Sequence, residues 1–455
     1  MGSLLVGWGA TSRPLPLIAL MIGLVGAVFL TRFKHLWLIL FTLGVHFDDL
    51  FIPLGFAKVG YGDFALALML GYWGLWRLYQ VRPARLPDGW PLVIIYAIGV
   101  GISWQLGPSP QAITGLFVRN CLYVFGYFAL VDLLTEERQI LVFLLTALSA
   151  VFLHTIIALA LDNPSARVDG LVGQPNIFGG LIGPGAIIAF TFASHPHMRR
   201  WIKAILVSVG ALISFVLILT VSRGAQLAFA CALLWIYRSR WRSIGAVLLI
   251  GLLVFQLILI LDPDRFGYFL ERWALEDGSV STRQGLIYNA LRVINEYPFF
   301  GVGFAQFTML EEVMQIDAGH GRASHNHYLG ELATIGIPSA LSLFTFIVLQ
   351  GRSLWRTSAK VTAQRLAHES HRSSSLTRVY DQVDTQRKLN QRDHRMRSRD
   401  RAFSQMYLLV LQGLMIFQSV ALIFRGGRRM IEWSFLALYT AAILIYRHAP
   451  DYEEQ

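Results

Sequence analysis

Two histidines and an amide stand at the mouth of an apolar run in Ser324-His325-Asn326-His327-Tyr328-Leu329-Gly330-Glu331, five residues ahead of Gly336. An imidazole at a water–lipid boundary can take a proton from a hydroxyl near neutral pH. His325 is therefore the candidate general base, with Asn326, His327 and Glu331 as supporting groups that orient it or its substrate. Three arginines form a second constellation: Arg167 ahead of Asp169, Arg223 in Val221-Ser222-Arg223-Gly224, and Arg283 in Ser281-Thr282-Arg283. A guanidinium fork matches two phosphate oxygens at once, which a lysine point charge cannot do. Phosphate or pyrophosphate is thus the candidate ligand, and a local salt bridge to Asp169, Glu271 or Asp277 is the plainer use of the same cations.

Arg119 lies within an apolar run, where a charge costs at least ~2.5 kcal/mol unless it is paired or reaches water. It is expected to face the interior of a bundle or to snorkel to the boundary. A metal site is not expected, and neither is a cofactor. His325 and His327 are two apart and would face different ways on a helix. In His368-Glu369-Ser370-His371 the histidines are three apart, whereas the zinc-protease pair needs four.

The elements that must position these groups are apolar. Hydrophobic residues make up 55% of the 455 and charged residues 15%, with a mean hydropathy of +0.52, which excludes an ordinary soluble domain. Cys121 and Cys231 both fall in apolar runs and read as small core hydrophobes. A span needs about 20 mostly apolar residues. Candidate spans fall at 15–30, 35–54, 61–79, 90–106, 112–134, 139–161, 176–194, 201–220, 224–237, 243–261, 327–350, 405–424 and 430–446. The expected fold is an all-α, polytopic transmembrane bundle of about 12–13 spans. It divides into N-terminal helices 1–161, a core 162–350, a basic loop 351–404 and C-terminal helices 405–455.

The formal charge of +11 is concentrated. Between Arg352 and Arg401 thirteen basic residues face five acidic ones, a net +8 with only Trp355 and Tyr380 as aromatics. Such a loop lies against anionic cytoplasmic lipid and is not expected to bind nucleic acid. Placing it in the cytoplasm also places Arg32 and Lys34, Arg82 and Arg85, Arg199 and Arg200, and Arg238, Arg240 and Arg242 there. The stretch 262–326 then faces the other side. Within it, residues 283–297 carry Leu286, Ile287, Ala290, Leu291 and Ile294 at amphipathic helical spacing, stopped by Pro298 and followed by a Gly301-Val302-Gly303 turn. Arg425, Arg428 and Arg429 fall on that outer side too. The glycine-rich segment 173–185, with Pro184, is expected to break its helix, either lining a cavity or allowing close packing.

Taken together these stretches resemble the O-antigen ligase and polymerase superfamily of bacterial envelope glycosyltransferases. His325-Asn326, nine residues, then Gly336 is similar to its histidine–amide signature, and Ser339 departs from the Gly, Thr or Tyr usual at the end of that pattern. Arg283 with Pro298-Phe299-Phe300-Gly301-Val302-Gly303, Ser222-Arg223, and Arg167 to Asn176 resemble its other stretches, and the likeness covers about 160–345. The resemblance implies a metal-independent, inverting transferase in the bacterial inner membrane with its site facing the periplasm. Its donor would be a glycan on undecaprenyl pyrophosphate. Its acceptor would be the lipid A core (a ligase) or a growing glycan (a polymerase). A membrane transporter is the alternative class, because carriers also combine broken helices with intramembrane charge; the clustering of the arginines at one face argues against it.

Overall fold

The computed structural model describes residues 35–48, 51–53, 58–80, 82–161, 167–239, 279–307, 326–376, 403–422 and 429–447. Side chains are described for these except at 51–53, 58–59, 279–283, 365–376 and 429. The spans expected at 15–30 and 243–261 lie outside the described residues, as do His325, Arg425 and Arg428.

Helices dominate. α1 is Leu36–His46, α2 Tyr61–Tyr79, α3 Trp90–Leu106, α4 Thr114–Leu133, α5 Glu137–Leu161, α6 Pro175–Ala193, α7 Arg200–Leu219 and α8 Arg223–Tyr237. α9 is Ser279–Glu296, α10 His327–Ile335, α11 Ile337–Leu376, α12 Phe403–Leu422 and α13 Arg429–Arg447. By length and composition seven of the described helices can cross a membrane, namely α4 to α7, α11, α12 and α13, while α1 and α3 are shorter apolar helices. One buried apolar cluster runs through the bundle, from Trp37 and Phe41 through Phe143, Phe178 and Phe346 to Phe417 and Phe435.

Three expectations are corrected. The span expected at 35–54 stops at His46 and gives way to a short antiparallel ribbon, Phe51–Pro53 paired with Lys58–Gly60. The span expected at 327–350 is two helices, α10 and α11, joined at Gly336. The break expected in 173–185 is absent, because α6 runs unbroken through Pro184. Its glycines serve close approach instead. A Cβ at Gly179 would meet Ala225 and Ser222 at 3.0 and 3.2 Å, one at Gly183 would meet Phe417 at 2.3 Å, and one at Gly185 would meet Val151 at 2.4 Å. The basic segment also begins as helix, since α11 continues to Leu376.

The basic segments that share a side in sequence meet in space. Arg447 at the end of α13 pairs with Asp88 at 2.5 Å and reaches Ser353 at 3.1 Å, and Gln350 donates to the Asp88 carbonyl at 2.8 Å. Trp235 meets Trp355 edge-on, His195 stacks on Phe403, and Ser404 donates to Glu137. The starts of α6, α8, α10 and α13 and the ends of α3 and α12 therefore gather at the opposite rim.

The basic face is anchored on Asp132, a buried carboxylate at the end of α4. It pairs with Arg77, accepts Trp73 Nε1 at 2.8 Å and accepts the backbone N–H of Arg85 at 2.9 Å. Removing one partner strands the other charge, at a cost of roughly 3–5 kcal/mol. Asp132→Ala is expected to lower the thermal midpoint of the purified protein by several degrees, read by fluorescence-detected size exclusion after heating; an unchanged midpoint would show the 80–89 loop to be held by other contacts.

Candidate active site at one rim of the bundle

The histidine motif is carried by a short helix whose ends are fastened separately. Asn326 is the N-cap of α10: its Oδ1 accepts the Leu329 N–H at 3.1 Å, satisfying one donor that a helix start leaves over. The amide of the His-Asn pair thus fixes where the helix begins, and His325 immediately precedes that cap in the chain. At the other end Gly336 sits at φ +78°, and a Cβ there would meet the Phe299 carbonyl oxygen at 2.2 Å. Its position demands glycine twice over, for the backbone angle and for the approach.

The loop that follows α9 is the other half of the same unit. Val302 N–H donates to Ala333 O at 3.0 Å, Gly303 N–H to Thr334 O at 3.1 Å, and Ile337 N–H to Pro298 O at 2.7 Å. Ser103 Oγ on α3 also donates to Thr334 O, at 2.6 Å. These bonds satisfy carbonyls that the end of α10 would otherwise leave orphaned. Gly301, at φ +66°, lies so close to Ala333 and Thr334 that a Cβ would meet their backbone at 2.3 to 2.6 Å. Two glycine motifs more than thirty residues apart in sequence are therefore one backbone-to-backbone joint. Beneath it Ala290, Val293, Val302, Phe307 and Ala333 form a small apolar cluster that seats α9 on α10. Position 283 lies one turn before Leu286 in the stripe 286–290–293 that α9 buries.

Ser339, where the chain departs from the usual pattern, is buried against Gly99 of α3; a Cβ on Gly99 would fall 1.7 Å from Ser339 Oγ. The position is a helix crossing that requires small residues on both sides, which serine meets.

The arginines gather around a different turn. Val221 adopts φ +50°, a conformation that a β-branched residue rarely takes, immediately before α8 begins at Arg223. Arg167 clamps this turn: Nε donates to Thr220 O at 2.9 Å, and Nη2 to Asn176 Oδ1 at 3.0 Å and to Val221 O at 3.4 Å. Its fork thus reaches two backbone carbonyls and one side-chain amide oxygen. Arg223 is half-buried at the first position of α8, two residues after the Val221 carbonyl that Arg167 engages. Arg119 pairs with Asp63 at 2.5 Å, and Asp63 also accepts the Gly60 N–H at 3.1 Å, so the intramembrane cation is neutralised from α2.

Between α3, α10, α11, α12 and α13 lies a cavity of about 70 Å³, room for a few waters and open at the rim. Its polar end holds His327, Glu331, Gln418, Ser419 and Glu432, with Tyr96, Tyr328 and Trp433 around them. One to two turns deeper the lining is Leu343, Phe344, Ile347, Met415, Leu436 and Tyr439. His327 Nδ1 is 3.9 Å from Glu331 Oε1, and its Nε2 is 3.9 Å from Glu432 Oε2.

The structure brings Asn326, His327 and Glu331 together on α10, and sets Arg167 on the turn that precedes Arg223. Helix α12 turns different sides to the two groups: Phe417 meets Gly183 of the Asn176 helix, while Gln418 and Ser419 line the cavity. Glu432 and Asp63 were missed in sequence. Each is a lone carboxylate near the end of an apolar run, and the reasoning that singled out Arg119 would have singled them out too.

The fold and its rim define a multi-pass membrane protein whose polar side chains collect where helices begin. Residues 208–344 match the family model described as O-Antigen ligase, a segment that includes Arg223, Arg283, His325 and Gly336. That match, over 137 of the 455 residues, supports the O-antigen ligase superfamily for this segment of the chain. No curated protein matches the chain.

Proposed function

We propose that the protein transfers a glycan from undecaprenyl pyrophosphate to an acceptor hydroxyl at the periplasmic face of the bacterial inner membrane. The observation that carries this reading is the family match over 208–344, which spans both arginine positions and the histidine motif. Arg223 and Arg283 hold the diphosphate and offset the charge that grows on it as it leaves. Arg167 positions Arg223 by clamping the strained 220–221 turn, a fit supported by its bonds to both carbonyls. His325 takes the acceptor hydroxyl proton while that oxygen bonds to the anomeric carbon. The bond from that carbon to the diphosphate oxygen breaks with inversion, and the diphosphate leaves as a stable anion. Two substrates confined to one leaflet gain most from being positioned, and general-base help adds roughly 10²–10⁴-fold.

Glycan analysis of a strain lacking the protein tests the reading. Long chains left on the carrier lipid with an undecorated acceptor identify a ligase, and single repeat units identify a polymerase. Unchanged envelope glycans would refute both. Arg223→Lys keeps the charge and loses the two-point contact, worth about 1.5–3 kcal/mol for a bond to a charged group. It is expected to raise the donor KM by about tenfold or more, since 1.4 kcal/mol is a factor of ten. A donor KM equal to wild type would assign Arg223 to the packing of the turn alone.

A further inference from the structure

Among the described residues the rim carries two polar groups of opposite character, and only one suits a diphosphate. Around the 220–221 turn the side chains are cationic. In the cavity a single imidazole lies between two carboxylates, Glu331 on α10 and Glu432 on α13. A phosphate placed there would face two like charges across a few ångströms and be repelled. Both carboxylate contacts to His327, at 3.9 Å, exceed hydrogen-bond length, so the ring does not hydrogen-bond these two oxygens directly. Oε1 of Glu432 is buried without a hydrogen-bond partner among the described residues. Carboxylates accept and do not donate, so what fits is a group rich in O–H. Trp433 and Tyr96 add flat apolar faces beside them, and the deeper lining is apolar.

We propose that this cavity is the seat of the acceptor: it takes the uncharged, hydroxyl-bearing end of a glycan and excludes anionic ends. The assignment rests on the transferase reading for the identity of the occupant as acceptor. Glu432 is a specificity-determining residue in this scheme. An amide keeps one accepting oxygen but replaces the other, and the charge, with a neutral donor, which weakens its hold on O–H groups, whereas the diphosphate on the arginine side is untouched.

The test uses the full-length protein in lipid nanodiscs. In transfer assays with carrier-lipid glycan from the producing cells, Glu432→Gln is expected to raise the acceptor KM at least tenfold and leave the donor KM within twofold. It should also narrow the preference for neutral over uronic-acid-terminated acceptors. Equal loss against both substrates would mean a structural role and overturn the proposal, as would no change in either. If the amide variant fails to fold, Leu436→Phe, which fills the floor from an apolar position, must give the same split. Binding is read separately by saturation-transfer difference NMR with maltotriose and trigalacturonic acid as probes. Contact by maltotriose alone, lost in Glu432→Gln, supports the cavity even if transfer is never detected, in which case the transferase reading is what fails. Equal contact by both probes, or contact by neither, would overturn the cavity assignment.

Discussion

His325→Ala is expected to abolish detectable transfer while the protein stays folded in the membrane. The argument is one of placement and magnitude. Position 325 directly precedes the Asn326 cap, at the rim where α10 starts. The alanine removes a base worth roughly 10²–10⁴ in rate. The joint between α10 and the 298–303 loop is made by backbone groups of 298–303 and 333–337, so the thermal midpoint should stay near wild type. The loss should fall on kcat, with the donor KM little changed, since the diphosphate is held by arginines. Transfer assays on purified protein, with midpoints measured alongside, check both halves. Near-normal transfer would transfer the role to His327, whose ring already stands 3.9 Å from Glu331 and from Glu432.

Gly336→Ala is expected to cost both stability and activity, through the backbone rather than through chemistry. At φ +78° an L side chain is strained by roughly 1–3 kcal/mol. Its Cβ would in addition lie 2.2 Å from Phe299 O and 2.6 Å from Phe300 N, and neither backbone atom can swing aside as a flexible side chain could. The joint must open, and with it go the bonds from Val302, Gly303 and Ile337 that fasten the C-terminal end of α10. Gly285 supplies the control: it lies within α9 with nothing near its missing Cβ. Gly285→Ala should be neutral or stabilising by about 0.5–1 kcal/mol. Thermal midpoints of the two variants should therefore move in opposite directions. A Gly336→Ala protein as stable and active as wild type would show that the joint is not what holds the histidine motif.

Much of this molecule is legible in its sequence because membrane helices are written locally. The ends of α2, α3, α6, α7, α8 and α13 fall within a residue or two of the apolar runs. Pro298 and the Gly301–Gly303 turn mark where α9 must stop. What was not legible depends on partners far apart in the chain. Pro184 looked like a breaker, yet α6 is covered along most of its length and stays helical there. Gly336 split an apolar run that was long enough for one span, because the Phe299 backbone occupies the space a continuous helix would need. The partner of Arg119 stands 56 residues away, and the carboxylate facing His327 Nε2 lies on the last helix. Pairings over such separations leave no periodicity to read. Arg167 shows the limit most plainly. Its residue type pointed to an anion, while its bonds to the Thr220 and Val221 carbonyls, 53 and 54 residues along the chain, could not be read from spacing.

One reconstitution bears on all of this at once. Purified protein in nanodiscs is given a glycan on undecaprenyl pyrophosphate, and release of free undecaprenyl pyrophosphate is followed with and without a hydroxyl-bearing acceptor. Guanidinium grip and imidazole activation together predict acceptor-dependent release, slowed in Arg223→Lys through the donor KM and lost in His325→Ala. Release that proceeds unchanged in both variants, or no release from the wild-type protein with any envelope acceptor supplied, would contradict the account.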